Sequence, residues 1–364
     1  MWSRRIAMVT AAVTIATVGA AAPAARAGWQ DEPIIADVNG DGLADRNILG
    51  LVPGTSDCTV LVELGRPGGG YATARSYPYL SSAVYCPDMG VGLNFDSDAP
   101  AELALTWFSG PPPSVSSTLL VLDDFAVSGG FDTIFQPSYI GTADFNGDGR
   151  QDIYEWTDQG NGFTTYLNTG TGTLTPGPLR YCSGRPQYEL ADFDRDGAMD
   201  VTIAYAEGCG TYFTGVVVVL DDGTVVDLQG DPYGDESWTV ATADVNGDGM
   251  LDVVTTNGSR GAQSVFIGTG TGRFVPAPRA VRDNPRVSGA KATGIRVLAN
   301  DFATSGTKLT IVTAPVHGTV QVTTGRTVIY RPHRNDTARS DRFVYRLTQD
   351  GRSSNATVSL RIAR

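Results

Sequence analysis

Five times, at intervals of 57, 50, 48 and 52 residues, the chain writes a short acidic loop of the form D-x-N-x-D-G-x-x-D or a worn copy of it. The copies run from Asp37 to Asp45, Asn94 to Glu102, Asp144 to Asp152, Asp192 to Asp200 and Asp244 to Asp252. A unit repeated about every 50 residues cannot bury its apolar faces alone, so the period predicts an array or a propeller of like units. Oxygen side chains at alternate positions of a glycine-tightened loop can also converge on one hard cation, and Ca²⁺ takes about six to eight such ligands.

Each loop is flanked by short segments of alternating apolar and polar residues rich in β-branched and aromatic types. Tyr139-Ile140-Gly141-Thr142-Ala143 precedes one loop and Ile153-Tyr154-Glu155-Trp156 follows it. A period of two makes these strands, and the loop becomes the turn of a hairpin. A third strand and a glycine turn follow, as in Ser264-Val265-Phe266-Ile267-Gly268-Thr269-Gly270-Thr271-Gly272, and a fourth begins at Leu174 or Phe274. Four strands per unit is the blade of a β-propeller.

The acidic loop followed by a G-x-G-x-aromatic turn resembles the FG-GAP or VCBS repeat of integrin α-subunit heads and many secreted bacterial proteins. The resemblance covers residues 30–278. It implies a propeller, and about 250 residues at about 50 per blade predict a ring of five blades, unless the ring closes in a dimer. In both the physical reading and the resemblance, loop positions one, three, five and nine give side-chain oxygens and position seven gives its carbonyl. The first site is then Asp37, Asn39, Asp41, the carbonyl of Leu43, and Asp45. The third is Asp144, Asn146, Asp148, the carbonyl of Arg150, and Asp152; the fourth is Asp192, Asp194, Asp196, the carbonyl of Ala198, and Asp200. The fifth is Asp244, Asn246, Asp248, the carbonyl of Met250, and Asp252. The second loop departs from the pattern, with Asn94, Asp96 and Asp98, Ala99 in place of glycine, and Glu102 at its end. Weak binding or none is expected there. Residues 144–155 also match an EF-hand loop formally, but the strand-like flanks argue against a helix pair.

Arg4 and Arg5, an apolar run from Ile6 to Ala22, and Ala25-Arg26-Ala27 before Gly28 read as an export signal over residues 1–27. The expected location is extracellular, free or associated with a cell wall, without a membrane span. Four cysteines suit an oxidising compartment, and sequential pairing of Cys58 with Cys86 and Cys182 with Cys209 is the simplest of the three connectivities. Charge divides the chain. Residues 28–279 hold 34 acidic and 10 basic residues, whereas residues 280–364 hold 5 acidic and 14 basic. Two domains with different partners are expected. Most of an exported acidic chain would repel phosphate, so nucleic acid is set aside. The basic module suits an anionic polymer, a cell-surface glycan or its own acidic neighbour, or presents a solvated face.

Beyond Val275-Pro276-Ala277-Pro278-Arg279 the loops stop and short alternating strands take over, among them Ile295 to Leu298, Leu309 to Val312 and Phe343 to Leu347. Their spacing predicts a sandwich over residues 280–364. Val297-Leu298-Ala299-Asn300-Asp301, Pro315-Val316-His317-Gly318-Thr319-Val320 and Asp341-Arg342-Phe343-Val344-Tyr345 resemble bacterial cadherin-like or Ig-like domains. Asn300 and Asp301 read as turn residues there. The fold class is therefore all-β: a propeller of about five four-stranded blades over residues 28–279, then a small Ig-like sandwich.

Both histidines, His317 and His333, lie in the basic module, so the propeller lacks imidazole for Ser-His-Asp or most zinc-hydrolase chemistry. Glu155, Glu189, Glu207, Asp158 and Asp221 are acids outside the loops, and no pattern selects two of them as a glycosidase pair. If the acidic loops occupy one rim, Trp107, Tyr139, Trp156, Tyr205 and Trp238 fall near the other. Aromatic faces there could stack on sugar rings, or pack between blades. The expected function is a secreted, calcium-binding, non-catalytic adhesion or ligand-binding protein for a glycan, cell-surface polymer or protein ligand. An extracellular polysaccharide hydrolase or lyase using carboxylates is the alternative, and a structural spacer the third reading.

Overall fold

The computed structural model describes residues 32–363, apart from 82, 84, 97, 158–161, 183, 207–211 and 350–351. The expected signal peptide, Cys209, Asp158 and Glu207 lie outside the described residues. Five antiparallel four-stranded sheets follow one another, each in the order in which its strands occur along the chain. The first consists of Ile34–Ala36, Asp45–Leu51, Cys58–Glu63 and Arg75–Leu80, and the second of Met89–Leu93, Glu102–Thr106, Leu119–Asp123 and Ala126–Phe131. Tyr139–Ala143, Asp152–Thr157, Gly162–Asn168 and Leu174–Tyr181 form the third. The fourth has Gly184–Ala191, Asp200–Ala206, Thr214–Val219 and Val225–Asp231, and the fifth Trp238–Ala243, Asp252–Asn257, Gln263–Gly268 and Phe274–Pro276. These are propeller blades, and every acidic loop joins the first strand of a blade to the second, as the hairpin reading requires. The EF-hand alternative fails because both flanks are strands and Glu155 sits within one.

Burial explains the sequence texture. The inner strands are covered on both faces by neighbouring blades, so Glu102–Thr106 and Thr214–Val219 are buried throughout and read as continuous runs. Fourth strands such as Ala126–Phe131 are mostly exposed and carry glycine and serine. Apolar clusters stitch each blade to the next. Ile34, Val60 and Val62 meet Leu103 and Leu105 between the first two blades. Val91 and Val121 meet Ile140 and Ile153 between the next two. Tyr154 and Phe163 meet Val201 and Val217, and Phe193 and Val218 meet Val253 and Phe266. Among the described residues no such cluster joins the fifth blade to the first. On the fifth blade, Val265, Ile267 and Ala277 instead pack against Phe302 of the C-terminal module.

That module is a sandwich. One sheet orders Arg286–Ser288, Arg352–Ala363, Ser340–Gln349 and Lys308–Thr313; the other orders Thr293–Ile295, Val328–Pro332 and Gly318–Val322. Val287, Leu309, Tyr330, Phe343, Tyr345 and Val358 fill the space between them. The expected strand through Leu298 is shorter, ending at Ile295 before a 3₁₀ turn over Val297–Asn300. Asp301 is more than a turn residue: it accepts hydrogen bonds from the Val281 N–H at 2.6 Å and the Tyr345 hydroxyl at 2.8 Å, tying the interdomain linker to the core. His317 is structural, with Nδ1 3.0 Å from Asp336 Oδ2.

Cys58 and Cys86 form the expected disulfide. Cys182 is also disulfide-bonded. Among the described residues no helix is long and apolar enough to cross a membrane.

Candidate metal centres

All five loops share one scaffold, built on the second and ninth positions. The ninth acid, on the first residue of the second strand, accepts a hydrogen bond from the second residue's N–H at 2.7 to 3.0 Å. In four loops its other oxygen accepts from a backbone N–H at or just past the end of the third strand: Gly65 to Asp45, Asn168 to Asp152, Asp221 to Asp200 and Gly268 to Asp252, at 2.7 to 2.9 Å. These four aspartates are fully buried. The second residue plugs the loop into the blade core, as the buried Val38, Phe95, Phe145 and Phe193 show. Burial pushes Asp152 and Asp252 up to about 6 and Asp200 up to about 7, while the backbone donors pull each down.

The sharp turn needs left-handed backbone at two positions. Gly40 and Gly42, Gly147 and Gly149, and Gly247 and Gly249 supply it with φ between 68° and 83°. In the fourth loop Arg195 takes the first of these positions at φ 68°, followed by Gly197 at φ 99°. The first acid then gathers backbone amides. Asp37 accepts from Gly40, Asp41 and Gly42, and Asp244 accepts from Gly247, Asp248 and Gly249. In loops one, three and five the asparagine amide donates to the fifth-position acid at 2.9 to 3.1 Å. Adjacent loops are also linked: the Ala101 N–H donates to the Asp37 carbonyl and Met199 to that of Asp144, each at 2.8 Å.

Three carboxylates bring oxygens within 4.8 Å of one another in two loops among the described residues. In the fourth, Asp192, Asp194 and Asp200 gather, and Asp194 and Asp196 gather with Asp221. Asp221 was missed as a site residue by the sequence, since its equivalents are Gly65, Asn168 and Gly268 and only its place after the third strand brings it to the loop. In the second loop, Asp96, Asp98 and Glu102 gather. This is the loop the sequence discounted. Ala99 has no left-handed backbone there, and the longer arm of Glu102 reaches both the Phe95 N–H and the other two acids. Burial pushes Glu102 up to about 6.

Glu102 is 4% exposed, yet its Oε1 has no hydrogen-bond partner among the described residues, and neither has the buried Oδ1 of Asp194. Orphaned carboxylate oxygens among other acids are costly without a cation, so an all-oxygen set of this kind fits Ca²⁺.

The opposite rim is packed more tightly than its sequence suggests. Trp107 is 1% exposed and Tyr205 3%, so neither ring face is open to a sugar, and Tyr205 belongs to the core between the third and fourth blades. Tyr139 and Trp238 are half-buried against the clusters beside them. Trp156 is half-buried, with an Nε1 that has no partner among the described residues. Packing between blades accounts for the first two. On the same rim a cleft of about 870 Å³ opens between the first and second blades, lined by Leu49, Leu51, Ser56, Tyr85, Asp88 and Trp107 among others. Tyr85 is 40% exposed and Leu51 56%.

An FG-GAP-like repeat model matches residues 144–203, an FG-GAP repeat model residues 237–273, and a bacterial Ig domain model residues 275–362. The matched repeats hold the third, fourth and fifth loops. No curated protein matches the chain. A solved endo-fucoidan hydrolase from glycoside hydrolase family 107 is similar at 11% identity and a TM-score of 0.20, over 93% of this chain and 44% of that one. The chain therefore carries FG-GAP repeats in its propeller body and a bacterial Ig domain at its C-terminal end.

Proposed function

We propose that this is an exported, calcium-stabilised, non-catalytic protein that binds a glycan or similar cell-surface ligand on the rim opposite its acidic loops. The observation that carries the reading is the division of labour between the rims. One rim holds the repeated carboxylate loops, whose ninth acids are locked into the blades. The other holds an open cleft whose size, near 870 Å³, suits a small oligosaccharide.

A cation at each loop would be held by the Asp, Asn or Glu oxygens at positions one, three, five and nine and the carbonyl at position seven, helped by Asp221 in the fourth. Its role is to neutralise clustered carboxylates and to fix the hairpin corners from which the second strands start. The cleft offers the exposed ring of Tyr85, the side chain of Leu51 and the hydroxyls of Thr55, Ser56 and Ser109. Its carboxylate, Asp88, accepts from the Phe108 N–H at 2.8 Å, which holds one oxygen in the wall. Such a lining suits stacking and hydrogen bonding to a sugar rather than paired-acid cleavage.

The test is binding of purified protein to a glycan array and to insoluble cell-wall polysaccharide, with soluble products assayed in parallel. Retention without release of reducing ends, weakened about tenfold by Tyr85→Ala with an unchanged melting temperature, is the expected outcome. Turnover of any polysaccharide, or retention indifferent to Tyr85→Ala, contradicts it.

A further inference from the structure

The bacterial Ig domain carries a surface that neither the loops nor the cleft explain. In its larger sheet the residues facing the core are Val287, Leu309, Phe343, Tyr345, Leu347, Val358 and Leu360, all buried. The alternate residues face outward, and five of them are cations: Arg286, Lys308, Arg342, Arg346 and Arg361, all exposed with the propeller in place. No acidic residue of these four strands faces the same way. Asp341 points inward, is 8% exposed, and accepts from the Tyr330 hydroxyl and the N–H groups of Val316 and His317.

Strand register turns these five into a track. Arg286 lies beside Arg361, and Arg361 lies opposite Ser340. Arg342 is two residues further along the same strand, and Arg346 four beyond that. Arg346 lies opposite Thr310, two residues from Lys308. With strands about 4.8 Å apart and about 3.4 Å per residue, the cations run diagonally from one corner of the sheet to the other over roughly 30 Å. Serine, threonine and asparagine fill most of the positions between them, with Val344 between Arg342 and Arg346, so the surface is mostly hydrogen-bonding groups. Arg346 Nε donates to Asn355 Oδ1 at 2.9 Å, which holds that guanidinium against the sheet.

Stability does not account for this pattern. Like charges on neighbouring strands repel, and Arg286 stands directly beside Arg361. None of the five makes an ion pair among the described residues. The guanidinium group binds carboxylate and sulfate through paired N–H donors, and a row of them at sheet spacing matches charges repeated along an extended chain.

We propose that the outer face of the Ig sheet binds an anionic polysaccharide, a linear chain bearing carboxylates or sulfate esters, along the diagonal from Arg286 to Lys308. This deepens the ligand-binding reading by naming a ligand class, but it rests on a different surface, so either can fail while the other stands. Association is driven by charge and therefore weakens steeply with salt.

The experiment compares the full chain with two double variants of equal charge, at fixed calcium and at two salt concentrations. Arg342→Ser with Arg346→Ser removes the middle of the track; Arg331→Ser with Arg334→Ser removes two exposed cations elsewhere on the module. The probes are polygalacturonate, dextran sulfate and neutral dextran, measured by calorimetry, with light scattering for self-association. Binding to either polyanion and not to neutral dextran is expected, weakened about tenfold or more by the track variant and less than twofold by the control, with equal melting temperatures. Which polyanion binds distinguishes uronate from sulfated chains. Equal loss in both variants, no loss in either, or no polyanion binding overturns the proposal. So does salt-sensitive self-association without polyanion binding, which would place the acidic body of a second copy on this face.

Discussion

At the residue scale the chain concentrates its electrostatic cost in a few buried acids. Glu155 is fully buried between the second and third blades, accepting from the Ile134 N–H at 2.9 Å and the Thr133 hydroxyl at 3.1 Å. Burial outweighs these donors and pushes it up to about 8. A carboxyl raised in the folded state binds its proton there while the unfolded chain has lost it. Its stabilising contribution is complete below the ordinary glutamate range, about 4.3, and is lost as pH rises through about 8, at up to about 1.4 kcal/mol per pH unit. Thermal melts of metal-saturated protein should therefore fall between pH 5 and pH 8, and Glu155→Gln should flatten that slope. An unchanged slope in the variant would assign the pH dependence to other groups. The ninth-position acids were legible because their partners are local in the repeat. Asp221 was not, since it follows a hairpin whose length differs from blade to blade. For Trp107 and Tyr205 the sequence left sugar contact and packing between blades both open, for a different reason. A period of two says which residues share a face, but not whether a neighbouring blade covers that face.

At the element scale the hairpin loop is the repeated device, and its copies differ in ways that can be measured. Arg195 occupies a left-handed position that glycine fills in loops one, three and five. Left-handed backbone costs a residue with a β-carbon about 1 kcal/mol, so Arg195→Gly should stabilise the protein by a few tenths to about 1 kcal/mol in denaturant unfolding. Destabilisation would show that the arginine arm, which lies near Gly270 of the next blade, matters more than its backbone. The second loop provides the sharper contrast. Its sequence is the most degraded, yet its three acids converge and Glu102 keeps an orphaned oxygen. Glu102→Gln should leave the hydrogen bond to Phe95 in reach while removing one bound Ca²⁺ per chain by calorimetry. A stoichiometry unchanged from wild type would return this loop to a purely structural role. The convergence was not legible in the degraded pattern, which turns on positions one and six, because it depends on the reach of the ninth side chain.

At the scale of the whole molecule, five blades stack through shared apolar clusters and the Ig domain packs on the last of them. Phe302 packs against Val265, Ile267 and Ala277, and Arg279 and Arg352 lie over Phe302 and Phe266 at 5.8 and 6.0 Å. Phe302→Ala should cost about 1 to 2 kcal/mol and be read as earlier unfolding of the fifth blade in hydrogen exchange. Exchange unaltered in that blade would mean the two domains are stable independently. The overall architecture was legible from the repeat period and the charge divide, because both are properties of whole units rather than of single contacts. The packing of the Ig domain on the fifth blade was not, because it depends on which face of that blade meets Phe302.

Cations at the hairpin corners of the blades would couple the stability of the whole body to divalent ion. Extracellular calcium sites bind at about 10⁻⁴ to 10⁻³ M, so at millimolar ion each site of the tighter kind would add roughly 1.4 kcal/mol, and four of them would rival the net stability of a domain. The most direct measurement is elemental analysis of protein equilibrated with millimolar Ca²⁺, paired with melting curves before and after chelation. Several calcium ions per chain and a melting temperature lowered by many degrees on chelation are the predicted result; metal-free protein with an unaltered melt would contradict it.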